Sequence, residues 1–477
     1  MTKANLRGQF IHYLIPSVAS LVSLSFYILA DTFFIANGVG SVGLAALNIA
    51  LPAYAVVNAT AMMLGIGAGV LIAVNRGMGE RERMQAAFRT AIVLAAGVGA
   101  VYTAIGVLCA DKLALLLGAS DLSHAYATTY IRVILAYSVF FLLNTTLQCI
   151  VRNDENPRLA MASMITNSLA NVILDYIFVI VLGWGMWGAA FATGLAAVMG
   201  IVILSFHWIR RKSSLTLFDK SVKKQTRRHH DAARLEHDSN NDVTDGFILM
   251  AGKIIKGGFS NFITELGNGL VILLFNVTLM RLSGDLAVAA YGIVANIALV
   301  ISYVFLGVGQ GLQPVVSFQF GKGNEANCRK VLFMALRLSV LLGITFFVLG
   351  TLFPAQLTAL FNGDNNAVLA EITVNAMKTY FFAFLSMGVS IAAASYFQSV
   401  MMPGRAMFIS VMRSCILVIA GVVILPRLWG LGGVWLVAPA AEGIAMLISI
   451  FLIKRTAKDR KSCRAANGYP ITKEGIR

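Results

Sequence analysis

Charge is scarce in this sequence. Of 477 residues, 13% are Asp, Glu, Lys or Arg, about half the roughly 25% of a soluble domain. With 58% hydrophobic residues, too little polar surface remains to cover a globule of this size, which excludes a soluble enzyme. Acids are the scarcer sign, 22 against 38 Lys and Arg. Cysteine is sparse too: five residues with no C-x-x-C pair, so free thiols are expected, without a disulfide framework or structural metal. The H-E-x-x-H and G-x-S-x-G signatures are missing, and with them any candidate for hydrolysis. A Walker A loop is missing as well. Gly321-Lys322 comes nearest, but Val316 stands where its first glycine belongs. The chain therefore reads as neither an enzyme nor an ATPase, and no cofactor is expected.

Apolar runs fill the length instead. They fall near residues 10–36, 44–75, 87–110, 124–151, 159–182 and 187–208, then 250–281, 286–318, 331–353, 369–400, 405–426 and 431–453. A membrane-spanning helix takes roughly 20 residues, so twelve are predicted, in an all-α integral membrane protein. The 43 glycines against nine prolines suit helices that approach closely in lipid. The first run follows MTKANLRGQFIHYLIP without a small-residue cleavage site, and reads as a helix rather than a cleaved signal.

The net charge of +16 is explained by sidedness rather than by nucleic acid. With the N-terminus inside, the short inner segments carry Lys3, Arg7, Arg76, Arg81, Arg83, Arg89, Arg152, Arg158, Lys322, Arg329, Lys330, Arg337, Arg405 and Arg413. The outer ones keep only Lys112, Arg132, Arg281, Lys378 and Arg427. This bias places both termini in the cytoplasm of a plasma (inner) membrane protein. The partner is the lipid bilayer, and a monomer is expected.

Residues 209–249 break the pattern with a long, polar, mixed-charge stretch, read as a mobile cytoplasmic linker. Its His229, His230 and His237 match no metal-ligand spacing. The sequences on either side resemble each other. LGIGAG from Leu64 is echoed by LGVGQG from Leu306, Gly77-Met-Gly79 by Gly321-Lys-Gly323, and the Trp-Gly at 184 by that at 429. A repeat of six helices returns the chain to its starting side. The expected architecture is two parallel six-helix bundles related by a pseudo-two-fold axis along the membrane normal, with a cavity between them. The first bundle is 1–208, the second 250–453, followed by a basic tail at 454–477. Without an ATPase, a secondary transporter driven by an ion gradient is the simplest class.

Several motifs then become informative together. They are Asp31 in YILADTFFI from Tyr27, the RNDENPRLAM loop from Arg152, Asn171-Val-Ile-Leu-Asp175, and Tyr396-Phe-Gln398. In order and spacing, over nearly the whole chain, they resemble the multidrug and toxic compound extrusion (MATE) family. The resemblance implies two six-helix lobes around a V-shaped cavity. It also implies export of small cationic or amphipathic drugs in exchange for H⁺ or Na⁺, and the branch it resembles keeps its coupling acids in the first lobe.

The intramembrane acids matter independently of that resemblance. A charged carboxylate at mid-helix costs about 3 kcal/mol on insertion scales. Asp31 lies deep in the first run with Tyr27 one turn before it. Asp175 ends a stripe containing Asn167 and Asn171, which must face protein or water. Two carboxylates in one apolar site do not both stay charged unless a cation joins them, so a proton or a bound Na⁺ fits equally. The alternative is purely structural hydrogen bonding. The resemblance adds Asn171, Thr193 and Tyr27 to Asp31 and Asp175 as the coupling site. Glu265 resembles an acid of the Na⁺-coupled branch, but the helix-10 aspartate that accompanies it there is absent. Glu265 is left to meet a cationic substrate or to pair near the cytoplasmic mouth, and Glu442 has no assigned role. Asn144 and Gln148, with Gln310 and Gln313, are candidate cavity groups or interhelical hydrogen bonds. The rival reading, a lipid-linked saccharide flippase, calls for basic residues within the membrane.

Overall fold

A computed structural model describes residues 5–209, 213, 215–216, 239–359, 361 and 366–466, without the side chains of 239–245 and 457–466. These residues are almost wholly helical. The helices are α1 (Leu6–Gly38), α2 (Ser41–Met78), α3 (Arg81–Leu116), α4 (His124–Ala136), α5 (Ser138–Asn153), α6 (Pro157–Asp175) and α7 (Gly185–Ile209). They continue with α8 (Ser239–Gly321), α9 (Glu325–Leu352), the short α10 (Pro354–Ala359), α11 (Ala367–Tyr380), α12 (Phe384–Ser399), α13 (Pro403–Val411) and α14 (Leu417–Ala466). Local chemistry sets many of the ends. Asn156 caps α6 by accepting from the Leu159 N–H, with Pro157 in the first turn, where its missing N–H costs nothing. Asn324 and Asn366 cap α9 and α11 in the same way.

Nine helical spans among the described residues are long and apolar enough to cross a membrane. The pair α4 and α5, bent by 51°, makes a tenth. The protein is therefore a multi-spanning membrane protein. Two spans, Gly246–Gly321 and Pro403–Thr456, run to 76 and 54 residues, far beyond the roughly 20 that one crossing needs. Kinks fall at the expected breaks near 281–286 and 426–431, at Gly284 with φ 70° and at Trp429–Gly430 with φ 56° at the glycine. Each long element is thus two helices joined directly across a kink, at Gly284 in one and at Trp429–Gly430 in the other.

The sequence repeat has a backbone counterpart. Residues with positive φ pair as Gly40 with Gly284, Gly79 with Gly323, Glu155 with Met401, and Gly185 with Gly430. Each pair is separated by 244 to 246 positions, the spacing of the repeated motifs. Three large apolar clusters fill the interior. One is built almost wholly from residues 35–215, one from 275–441, and a third draws on both halves of the chain.

Part of the predicted linker is docked. Ser213 donates to Asp154 Oδ2 at 2.7 Å, Leu215 is buried, and the Thr216 N–H donates to Gln85 Oε1 at 3.1 Å. His229, His230, His237 and the tail beyond 466 lie outside the described residues. The four described cysteines are free thiols.

Candidate functional site

Asp31 on α1 and Asp175 at the end of α6 are both buried, Asp175 completely. Their carboxyl groups are neighbours. Asp31 Oδ1 and both oxygens of Asp175 receive no hydrogen bond from any other residue, and the two carboxyls lie within hydrogen-bonding reach of each other. Asn171, one turn before Asp175, donates to Thr193 Oγ1 at 3.2 Å, and Thr193 donates to the Ala189 carbonyl. The Asn171 and Asn167 side-chain oxygens are also buried and bare. Directly after Asp175 the helix loosens into a π segment, Tyr176–Val181. Such segments recur at functional sites, where an i→i+5 ladder frees backbone groups.

A cavity opens on the side of Asn171 and Thr193, and neither Asp31 nor Asp175 is part of its wall. It gathers Tyr27, Asn144, Gln148, Asn167, Asn171 and Thr193. Tyr54 and Asn58, which the sequence analysis passed over, line it too. They sit four residues apart in an otherwise apolar helix, and that spacing was the available signal. The Tyr27 and Tyr54 hydroxyls are 3.1 Å apart. Asn144 enters the cavity because Gly200 on α7 has no side chain; a Cβ there would stand 2.6 Å from Asn144 Oδ1. Phe141 supplies apolar wall.

Glu265 on α8 stands beside Asn58, with Tyr54 and Tyr303 as neighbours. It thus comes from the second half of the chain to the rim of the first-half cavity. Gln310 and Gln313 go separate ways. Gln310 accepts from Arg152 at 2.6 Å, whereas Gln313 donates to Gln398, which in turn donates to Ser260. Glu442 accepts from Arg413 Nε at 2.6 Å and from Ser390 at 3.1 Å.

The two halves of the chain press together at one end. Gly77 and Gly321 are so close that a Cβ on either would be 3.0 Å from the other's Cα. A Cβ on Gly258 would be 2.6 Å from the Met63 carbonyl carbon, and one on Gly307 or Gly311 would be 2.7 Å from Val18 or Leu14 Cα. At the same end, the Arg76 guanidinium and the Lys322 ammonium both approach the Phe318 ring, at 5.3 and 4.6 Å. Among the described residues, every glycine contact between the halves lies toward the end marked by Gly79 and Gly323.

The MatE family model matches the chain twice, over residues 16–177 and 262–424, once in each half. The chain is 23% identical over 460 residues to the multidrug export protein MepA of Staphylococcus saprophyticus, covering 95% of both chains. It is 22% identical over 451 residues to MepA of Staphylococcus aureus, covering 93% of both. A solved MOP superfamily transporter from Pyrococcus furiosus has the same fold, with a TM-score of 0.85 at 20% identity over 96% of this chain and 97% of that one. A MATE solved in complex with MaL6 superimposes with a TM-score of 0.86, also at 20% identity, over 96% and 98%.

Proposed function

Because the chain belongs to the MATE family, we propose that it is a secondary active transporter exporting small cationic or amphipathic organic compounds in exchange for H⁺ or Na⁺. The observation that carries this reading is the Asp31–Asp175 pair. Three of its four oxygens are buried without a hydrogen bond from any other residue. Burying bare charge costs several kcal/mol per ion, so each carboxyl group calls for a proton or a shared cation. The surrounding donors fit either one. Carboxylate, amide and hydroxyl oxygens suit a hard cation, and adjacent carboxyls suit a shared proton.

The pair sits where α1 meets α6, and Thr193 ties α7 to Asn171. Neutralising the acids favours one packing of these helices, and leaving them charged favours another. The ion shifts that balance only through its different affinity for the two states. The substrate occupies the adjoining cavity. Tyr27, Tyr54 and Phe141 offer aromatic surface, Asn144 and Gln148 offer polar contacts, and Glu265 offers the charge that draws a cation.

In this reading Gly284 and Trp429–Gly430 divide the two longest spans, giving twelve crossings in two six-helix bundles, 1–208 and 250–453. The doubled family match and paired backbone turns support the duplication. The positive-inside bias places both termini, the 209–249 linker and the tail on the cytoplasmic side of the plasma membrane. The glycine-packed end is then the cytoplasmic one, closed in this state. A saccharide flippase is less well supported, because Arg413 is already neutralised by Glu442 and the other buried base, Arg152, lies in the last turn of α5 at a helix end.

Efflux from proteoliposomes under imposed pH or Na⁺ gradients tests the assignment. Asp31→Asn is expected to abolish gradient-driven efflux while substrate binding persists. Wild-type efflux with unchanged ion dependence would overturn it.

A further inference from the structure

Arg152, in the last turn of α5, is 94% buried, with a relative exposure of 6%. Its Nη1 donates to Gln310 Oε1 at 2.6 Å and its Nη2 reaches the Cys149 sulfur at 3.5 Å. Its Nε is buried with no acceptor. No carboxylate among the described residues forms an ion pair with it within 4.0 Å; Asp154 faces His207 and Ser213, and Glu155 faces Arg76. A position near a helix C-terminus favours a cation by about 0.3–1 kcal/mol. Burying an ion costs several kcal/mol, and one amide oxygen does not offset that.

The guanidinium lines a small cavity with Ser17, Ser20, Gln148 and Gln310. Ser17 Oγ is also buried without a partner. Two helices of the first half and one of the second thus aim donors into one space. This cavity shares Met62, Thr145, Gln148 and Met164 with the cavity beside Asn171 and Thr193.

We propose that this cavity is an anion-binding subsite, in which the Arg152 guanidinium and the Ser17 hydroxyl hold a monovalent anion. The anion is either a free halide or the carboxylate of an amphiphilic solute whose apolar body extends past Met62 and Met164. Charge-assisted bonds from Nε and Ser17 Oγ satisfy donors that otherwise have no acceptor. Because Gln310 belongs to the second half, the anion also joins the two halves at their closed end. The site requires no ion coupling, so it stands or falls separately from the transport reading.

The test is thermal unfolding of the purified full-length protein against bromide, decanoate and gluconate at constant ionic strength. A ligand that binds only the folded state raises the melting temperature progressively with its concentration. Bromide is expected to do so in the wild type, less in Ser17→Ala, and not in Arg152→Gln. Stabilisation by decanoate alone, lost in Arg152→Gln, assigns the site to the carboxylate of a solute. Should Arg152→Gln fail to fold, the anomalous signal of bromide in wild-type crystals gives the answer, with an ion expected within hydrogen-bond distance of the guanidinium. Equal effects of all three anions, equal effects in wild type and both variants, or no anomalous peak there after a bromide response would overturn the proposal.

Discussion

Replacing Gly258 with alanine would wedge the two halves apart at the end where they are closest. The added Cβ would stand 2.6 Å from the Met63 carbonyl carbon and 2.9 Å from its Cα. The Met63 carbonyl oxygen lies nearer still; since non-bonded heavy atoms pack at about 3.5–4.0 Å, α2 and the first part of α8 must separate by more than about 1 Å. Both partners are backbone atoms, and no rotamer change relieves the clash. Overpacking of this kind costs about 1–3 kcal/mol. In a state where the halves have parted at this end the same methyl costs nothing, so the penalty falls on the closed state alone. The open population should rise by about 5- to 150-fold relative to the closed one. Spin labels at Arg83 and Arg329, both exposed near this end, report the change by pulsed electron resonance. The distance distribution should move toward longer separations, with substrate transport slowed. An unchanged distribution in a fully folded Gly258→Ala protein would refute the argument that glycine contacts hold this end closed.

Glu442→Gln should lower thermal stability by about 3–5 kcal/mol, because it leaves Arg413 buried without its counter-charge; the paired change Glu442→Leu with Arg413→Met should recover most of that loss in the same melting assay. Gly200→Ala forces Asn144 out of its place, since the new Cβ would lie 2.6 Å from Asn144 Oδ1; substrate affinity should fall with little change in expression, measured by ligand-quenched tryptophan fluorescence. Single cysteines at Arg83 and Arg329 should react with an impermeant thiol reagent only after the cytoplasmic face is exposed, and labelling from outside intact cells would reverse the proposed sidedness.

The helical class, the positions of most spans and the internal repeat were legible in the sequence, because each follows from hydropathy and from motif spacing. The tightness of two breaks was not legible: Gly284 and Trp429–Gly430 fall where breaks are predicted, but one or two residues out of helical conformation suffice to kink the chain between helices. The bend at Tyr137 was hidden for the opposite reason: residues 124–151 form one apolar run that carries no breaker. At the candidate site, Asp31, Asp175 and Asn171 stood out because polar groups in apolar runs are costly, whereas Thr193 was reached only through the family resemblance. Tyr54 and Asn58 were missed because an aromatic and a single amide fit a buried helix without comment. Arg152 read as a cytoplasmic loop charge. Its burial depends on Gln310, 158 positions away, and no local pattern carries that information.

The duplication lets the chain serve as its own alignment. At the spacing fixed by its paired turns, Asn144, Asn167 and Ala197 correspond in sequence to Ser390, Arg413 and Glu442, the members of the largely buried ion pair and its serine. Asp31 corresponds to Phe275, which is completely buried, and Asn171 to Leu417. The copied backbone was kept, and the side chains at these addresses were rewritten in opposite senses. In one copy the addresses hold a cavity and bare acids; in the other they hold a plug of matched charge and an aromatic ring. Divergence between two halves of one polypeptide therefore breaks the symmetry of the scaffold at these addresses, and it leaves the unpaired acids in the first half alone.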